Sequence, residues 1–138
     1  MRATLAALAV AALAGCGGHG ATRTATTISV SKGPAIHARL IAQSHHPLVG
    51  KRWHYEVHVT DADGRPVPAR IHLQFLFGGV PVGQVGRHYV RNGVWRETIG
   101  APGNPPFPAR ARGQPLVLQA IVTALGQTAK ANWWIVVK

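Results

Sequence analysis

The sequence predicts an all-β fold, on the basis of two observations. Beyond residue 33, apolar residues alternate with polar ones, and no long stretch has the 3.6-residue spacing of a helix. Gly, Pro, Asn or Asp interrupts this alternation about every ten residues, which is typical of short antiparallel strands joined by turns. The roughly 100 residues from Pro34 to Lys138 are enough for one small domain with its own core.

Three strands are predicted in the first half of this domain, at residues 35–43, 51–60 and 70–77. In the second strand, aromatic and aliphatic residues alternate with polar ones, so one face is apolar and the other is polar and faces solvent. In the third strand, Phe75 and Phe77 are expected to point inward. The segment DADGRPVPA forms the turn before the third strand, because Asp and Gly tolerate turn conformations and Pro stiffens the exit.

Two shorter runs, at residues 80–91 and 94–99, meet at Asn92-Gly93. This dipeptide suits a two-residue hairpin turn, in which both central residues have positive φ, so the two runs are expected to pair directly. A Pro-rich loop from 101 to 115 leads to the strand LVLQAIVTAL, and QTAKANWWIVVK forms the last strand. About seven short strands in a domain of this size predict a single two-sheet sandwich of the immunoglobulin type.

The turn after the second strand resembles that of a known family. The sequence VHVTDADGRPVPA, from Val57 to Ala69, is similar to the V-T-D-x-x-G-x-P-V turn of bacterial immunoglobulin-like domains of the invasin and intimin kind. The segment LQAIVTALGQTAKANW is similar to the closing hairpin of those domains. The resemblance covers residues 34–138 and implies a spacer or adhesive module on a bacterial surface.

The sequence departs from the immunoglobulin-like domains that it resembles in two respects. It has a single copy of the domain without an internal repeat, whereas the invasin and intimin family typically occurs in tandem arrays. It also lacks the cysteine pair of the inter-sheet disulfide of antibody domains, so aromatic packing must hold the sandwich together. The expected core aromatic residues are Trp53, Phe75, Phe77, Trp95 and either Trp133 or Trp134.

The N-terminus has the layout of a secretory signal peptide. Arg2 precedes an apolar stretch at residues 5–14, which is shorter than the roughly 20 residues that span a bilayer. The sequence LAGC, which ends at Cys16, resembles the lipobox of bacterial lipoproteins. This resemblance implies that Cys16 is acylated and becomes the mature N-terminus. The alternative is an ordinary signal peptide with an incidental cysteine.

These features predict the domain organisation and the location of the protein. Residues 1–15 are expected to be a lipoprotein signal peptide, residues 16–33 a flexible tether rich in Gly, Ser, Thr and Ala, and residues 34–138 the folded domain. We therefore expect an exported protein that is anchored to the cell membrane by its N-terminal lipid and faces the periplasm or the cell exterior.

The chain is strongly basic, with 15 Lys and Arg against 4 Asp and Glu and a net charge of +11. Such a balance often indicates nucleic-acid binding, but the export signal argues against that partner. Outside the cytoplasm, a cationic surface attracts phospholipid headgroups, wall polymers and acidic glycans. We expect an anionic glycan, a wall polymer or a protein as partner. The alternative is that the basic residues serve solubility alone.

The predicted hairpin supplies the candidate anion-binding site. A two-residue turn would pair Val90 with Trp95 toward the core, and Tyr89 with Arg96 on the opposite face. That exposed face would collect one aromatic ring and three guanidinium groups, whose geometry matches carboxylate and phosphate. Its residues are Arg87, Tyr89, Arg91 and Arg96.

The sequence argues against an enzyme. No Ser, Cys or Thr lies in a recognisable nucleophile motif, and an acylated Cys16 leaves no thiol. A hydrolase with paired carboxylates needs two of them facing a cleft, but Asp61 and Asp63, half of the 4 carboxylates, lie in a turn. The chain is therefore expected to act by binding, without a cofactor.

The 8 histidines leave an alternative function open, that of an extracytoplasmic copper- or zinc-binding β-sandwich protein. His54 and His58 share a strand face but are about 13 Å apart at strand rise, too far to bind one ion together. Glu56 lies between them and could act with either one. His72 could complete a site only from a neighbouring strand, and an immunoglobulin topology puts it in the opposite sheet. The main expectation is therefore that the chain has no metal site.

Overall fold

The computed structural model describes residues 35–138, which form seven β-strands and one short 3-10 turn. The predictions for residues 1–33, including acylation of Cys16, lie outside the described residues. Within residues 35–138, no helix has the length and apolar content needed to cross a membrane. The strands are β1 (Ile36–Ala42), β2 (Trp53–Asp61), β3 (Ala69–Phe77), β4 (Val80–Val90), β5 (Val94–Ile99), β6 (Pro115–Ala124) and β7 (Gln127–Val136), and the 3-10 turn is Ala109–Ala111.

The strands form two antiparallel sheets, and the prediction of an all-β, immunoglobulin-like sandwich is confirmed. One sheet has the order β1-β2-β5 and the other the order β4-β3-β6-β7. The strands β2 and β3 lie in opposite sheets, as expected for this topology. In the constant-type immunoglobulin arrangement the fourth strand joins the sheet of the first two strands, whereas here β4 pairs with β3.

The predicted hairpin between β4 and β5 is wrong. In the structure β5 pairs with β2 in the three-stranded sheet, so the Asn92-Gly93 segment crosses from one sheet to the other. Gly93 is buried against β2, where its carbonyl oxygen accepts a hydrogen bond of 2.7 Å from the Val59 N–H. Its φ is +69°, but Asn92 is not in the left-handed region, so the segment is not the type I′ turn that a hairpin needs.

The tight hairpins occur at two other places. Phe77 pairs with Val80 across Gly78-Gly79, and both glycines have positive φ. A second two-residue turn joins β6 to β7 at Leu125-Gly126, where Leu125 has a φ of +49°. Both turns therefore have the backbone signature of type I′, and they align β3 with β4 and β6 with β7 in one sheet.

The core lies between the inner faces of the two sheets and is partly aromatic, as predicted. Trp53 is buried, and Phe75, Trp95 and Trp133 are partly buried against the core. Phe77 does not belong to the core, because it ends β3 beside a turn and is 45% exposed. Phe107 in the Pro-rich loop was not among the predicted core residues, but it is 6% exposed and packs edge-to-face against Trp53 and Phe75.

Candidate functional site

The outer face of the four-stranded sheet carries a cluster of cations, which we call the basic face. Residues of neighbouring strands face each other in rows, and rows on one side of the sheet are about 7 Å apart. From β4 to β7, the first row is Tyr89, Arg70, Thr123 and Thr128. The second row is Arg87, His72, Ile121 and Lys130. The basic face consists of these two rows, and the side chains of Arg70, Arg87 and Lys130 are exposed.

No carboxylate lies on the basic face, although all 4 acidic residues of the chain belong to the part that the structure describes. Glu56 faces solvent from the three-stranded sheet, and Glu97 lies near His88 at the edge where β4 and β5 meet. Asp61 and Asp63 lie in the turn after β2. The cations of the basic face therefore repel one another, and an external anion would relieve that repulsion.

The third row on the same side of the sheet consists of amides. The Nε2 of Gln74 donates a hydrogen bond of 2.9 Å to the Oε1 of Gln119. The Nε2 of Gln119 in turn donates one of 3.0 Å to the Oδ1 of Asn132. We call these three side chains the amide row. Because they hold each other in place, they present ordered polar groups beside the basic face.

The outer face of the three-stranded sheet is different, because Glu56 neutralises its neighbours. Its Oε1 accepts a hydrogen bond of 2.9 Å from the Nε of Arg96, and its Oε2 one of 2.8 Å from the Nε2 of His58. These two partners hold the pKa of Glu56 below its usual value. The Glu56 carboxylate therefore remains charged at neutral pH. Its hydrogen bond to Arg96 leaves this guanidinium less available to an external anion.

The four residues of the predicted anion site do not share a face. Arg87 and Tyr89 lie on the basic face, and the cross-strand neighbour of Tyr89 is Arg70. Arg96 lies on β5 in the other sheet, and Arg91 lies in the exposed segment that crosses between the sheets. The error follows from the wrong hairpin, because the face of each side chain was derived from that pairing.

Two cations of the basic face were not among the predicted site residues. Arg70 and Lys130 lie on β3 and β7, which are far apart in the chain and separated in the sheet by β6. Each of them does alternate with core residues along its own strand, and that alternation is the signal for an outward-facing position. Their proximity to Arg87 depends on the strand order.

The edge where β4 and β5 approach each other contains a hydrogen-bonded Glu97. The carboxylate accepts hydrogen bonds from the hydroxyl of Tyr55, from the indole of Trp95 at 3.3 Å and from the amide of Asn104 at 3.2 Å. Burial and the adjacent carboxylate raise the pKa of Tyr55 well above its usual range. Asn104 lies in the loop after β5, so its hydrogen bond to Glu97 holds this loop against the sandwich.

His88 lies next to this cluster but does not form a catalytic dyad with it. Its ring stacks on Trp95 with 3.7 Å between centroids, and its Nε2 is 3.8 Å from the nearest Glu97 oxygen, too far for a hydrogen bond. Burial lowers the pKa of His88, with the Glu97 charge acting in the opposite direction. No serine, threonine or cysteine bonds to His88 in the described part of the chain.

The seven histidines of residues 35–138 are dispersed over both sheets and the loop before β2. Within residues 35–138, no group of three or more His, Cys, Asp or Glu side chains is arranged to hold a metal ion. The Nδ1 of His54 bonds to the Oγ1 of Thr98 at 2.7 Å, while His58 pairs with Glu56. His72 lies on the opposite sheet from both, as the topology predicted. The only carboxylate–histidine contact at bonding distance in this range is that of Glu56 with His58.

An open cleft of about 570 Å³ lies between the first half of β4 and the Pro-rich loop. Its walls are mostly apolar and include Phe75, Phe107 and Leu116, and Arg110 is the one charged residue among those that line it. The cleft therefore offers an extended polyanion fewer cations than the basic face does.

One comparison with a solved structure supports the fold. No protein-family model and no curated protein matches the chain. Among solved structures, the chain is similar to the CARDB domain of the PF1109 protein from Pyrococcus furiosus, which was solved in complex with di-metal ions. The TM-score is 0.51 and the sequence identity is 16%, and the match covers 76% of this chain and 94% of that one. At this identity the similarity shows an immunoglobulin-like β-sandwich.

Two further structures are less similar. The soluble domain of PmoD from Methylocystis sp. has a TM-score of 0.43 and 14% identity, covering 76% of this chain and 92% of that one. A β-glucosidase from Listeria innocua in complex with isofagomine has a TM-score of 0.38 and 11% identity, covering 75% of this chain but 16% of the glucosidase.

Proposed function

We propose that this chain is an exported, lipid-anchored binding module of the bacterial cell envelope, without catalytic activity, and that its basic face contacts anionic envelope polymers. The observation that carries the proposal is the presence of three exposed cations on one sheet face that has no carboxylate. The lipobox resemblance of Cys16 and the invasin-like turn supply the anchor and the adhesive role in this account.

The geometry of the basic face suits an extended polyanion. Arg70, Arg87 and Lys130 are spread over three of the four strands, so they are separated by spacings of several ångströms across an open surface. Arginine forks match carboxylate and phosphate groups bidentately, while lysine acts as a point charge. A flat face of this kind binds repeating charges along a polymer better than one small anion.

The hydrogen bonding of Glu97 supports the non-catalytic part of the proposal. Three donors hold this carboxylate, and His88 beside it contacts an indole face. The other acidic residues are tied to Arg96 and His58 or to the turn after β2. None of these arrangements activates a nucleophile.

A metal-binding function is the second candidate. Two atoms that can bind a metal, the Oε2 of Glu56 and the Nε2 of His58, lie 2.8 Å apart, and the similar CARDB domain was solved with di-metal ions. Calorimetric titration of the purified protein with Cu(II) and Zn(II) distinguishes the two functions. A stoichiometric site of sub-micromolar affinity that is lost in His58→Ala favours the metal function, and weak binding favours the polymer function.

The proposed function is tested by measuring how the purified protein binds polygalacturonate and inorganic polyphosphate, with two matched double variants. Arg70→Gln with Arg87→Gln removes two charges from the basic face, and Arg39→Gln with Arg112→Gln removes two exposed charges elsewhere. A cation near an anionic surface contributes about 1 kcal/mol, so the first pair is expected to weaken binding about 30-fold. Equal losses from both pairs would mean that net charge alone determines binding.

A further inference from the structure

Beside the amide row, the outer face of the four-stranded sheet carries an aromatic ring that is both exposed and held in place. Trp134 is 52% exposed. One face of its indole stacks on His45, with 3.9 Å between ring centroids and 12° between the planes. The other side of the same imidazole stacks on Trp133, at 4.2 Å and 4°. His46 also contacts this indole, at a steep angle of 73° and with 5.9 Å between centroids. The exposed half of Trp134 is therefore the part that neither imidazole covers.

The backbone orders this stack of three rings. The Nδ1 of His45 donates a hydrogen bond of 2.7 Å to the carbonyl oxygen of Trp134. The N–H of Val136 donates one of 2.9 Å to the carbonyl oxygen of His45, so the loop before β2 runs along the edge of β7. An exposed ring that is already fixed loses little conformational entropy when a ligand covers it.

The position of the stack directs the exposed part of the Trp134 indole outward. Trp133 packs against the core on the inner side of β7, whereas Trp134 lies on the outer side. The His45 ring between them caps the edge of the strand. The exposed part of the Trp134 indole therefore extends the outer surface of the four-stranded sheet at β7.

The amide row lies between this ring and the cations. Asn132 precedes Trp134 by two residues on the same side of β7, about 7 Å away. Lys130 precedes Asn132 by another two residues on that side. Within the described residues, the Nδ2 of Asn132 and the Oε1 of Gln74 have no bonded partner, so both ends of the row can bond to a ligand. An aromatic ring, free amides and cations thus follow one another over about 14 Å.

We propose that this surface is a sugar-binding site and that the anionic polymer is an acidic polysaccharide; the inference rests on the function proposed above. The C–H groups of a pyranose ring carry a partial positive charge and pack against the negative face of an indole. Ring hydroxyls bond to the amides, and carboxylates reach Lys130 and Arg87. A polyphosphate or a lipid headgroup surface would use the cations but leave the indole and the amides unused.

The test compares polygalacturonate with inorganic polyphosphate, which has the charge but no sugar. Trp134→Ala and, separately, Asn132→Ala are expected to weaken polygalacturonate binding about tenfold and about threefold, because aromatic contacts and hydrogen bonds contribute on that scale. Polyphosphate binding is expected to stay within twofold of the wild type for both variants. Asn132→Ala removes no packed ring, so it remains informative if the loss of Trp134 disturbs the fold.

The outcomes separate this inference from the proposed function. If Trp134→Ala and Asn132→Ala leave polygalacturonate binding unchanged while Arg70→Gln with Arg87→Gln weakens it, the sugar site is overturned and the polyanion function stands. If the arginine pair has no effect on either polymer, the proposed function is overturned and this inference with it. Equal losses for both polymers in the Trp134 and Asn132 variants would also overturn the sugar site.

Discussion

The outer faces of the two sheets contain similar residues but differ in how their cations are paired. On the three-stranded sheet, Glu56 bonds to Arg96 and to His58 and cancels much of the local charge. On the four-stranded sheet, Arg70 and Arg87 have no carboxylate on their side of the sheet. The comparison shows that the +11 net charge of the chain is less informative than the position of its few acidic residues.

The segment that crosses between the sheets produces this difference. If β4 and β5 had formed a hairpin, Arg87 and Arg96 would lie in one sheet, and both would lie on the face that carries Glu56. Instead the chain crosses at Gly93, so β5 takes Arg96 to the carboxylate while β4 keeps Arg87 away from it. The charge contrast between the faces is therefore a consequence of topology.

The largest effect is expected from replacing the glycine at this crossing. In Gly93→Ala, a Cβ would approach the Val59 carbonyl oxygen and the Val67 nitrogen at a φ of +69°. We expect a loss of about 3 kcal/mol in the free energy of unfolding, measured by urea denaturation, from strain and the displaced hydrogen bond together.

A matched control isolates the close approach from the backbone strain. Gly64 has a φ of +79°, and no described atom lies within 4 Å of an added Cβ there. Gly64→Ala is therefore expected to cost about 1 kcal/mol from the left-handed backbone alone. If both variants lose the same free energy of unfolding, the contact of Gly93 with β2 does not stabilise the segment that crosses between the sheets.

A smaller effect is expected when one carboxylate is added to each face. Thr123→Glu places a negative charge next to Arg70, and binding to polyphosphate should weaken about fivefold, corresponding to about 1 kcal/mol. Thr60→Glu adds the same charge to the three-stranded sheet, near its edge with the turn, and should change binding by less than twofold. The binding difference between the two variants measures the electrostatic contrast between the faces.

The smallest effect is expected from removing the carboxylate that neutralises the three-stranded sheet. Because its partners keep the pKa of Glu56 low, the group is ionised at neutral pH, and its contribution to folding is lost only as the pH falls below the usual carboxyl range. At neutral pH, Glu56→Gln frees Arg96 and should increase polyphosphate binding by less than about twofold at low salt. A large increase would mean that both faces can serve as the site.

How much of the fold could be predicted from the sequence depends on whether a feature is determined by residues that are close together in the chain. The alternation in β2 and in β3 predicts the strands and their inner faces, because side-chain direction depends only on neighbouring residues. The partner of β4 could not be predicted, because Asn92-Gly93 permits a tight turn but packing of Gly93 on β2 decides the connection. The wrong pairing then misplaced Arg96.

The candidate site was less predictable than the fold for the same reason. Arg87 and Tyr89 were correctly predicted to face solvent, because their strand alternates. Lys130 and Arg70 join them only through the strand order β4-β3-β6-β7, which no local pattern encodes. The orientation of the Trp134 ring depends on His45, a residue 89 positions away in the chain.

The central claim is that anionic polymers bind the outer face of the four-stranded sheet, and an NMR titration tests it most directly. Backbone amide and side-chain resonances of the isotope-labelled protein would be followed while polygalacturonate is added at physiological salt. We expect the largest shifts at Arg70, Arg87 and Lys130 and at their neighbours on β3, β4 and β7, with little change on β2 and β5. Shifts centred on the three-stranded sheet, or spread evenly over all exposed basic residues, would contradict the account.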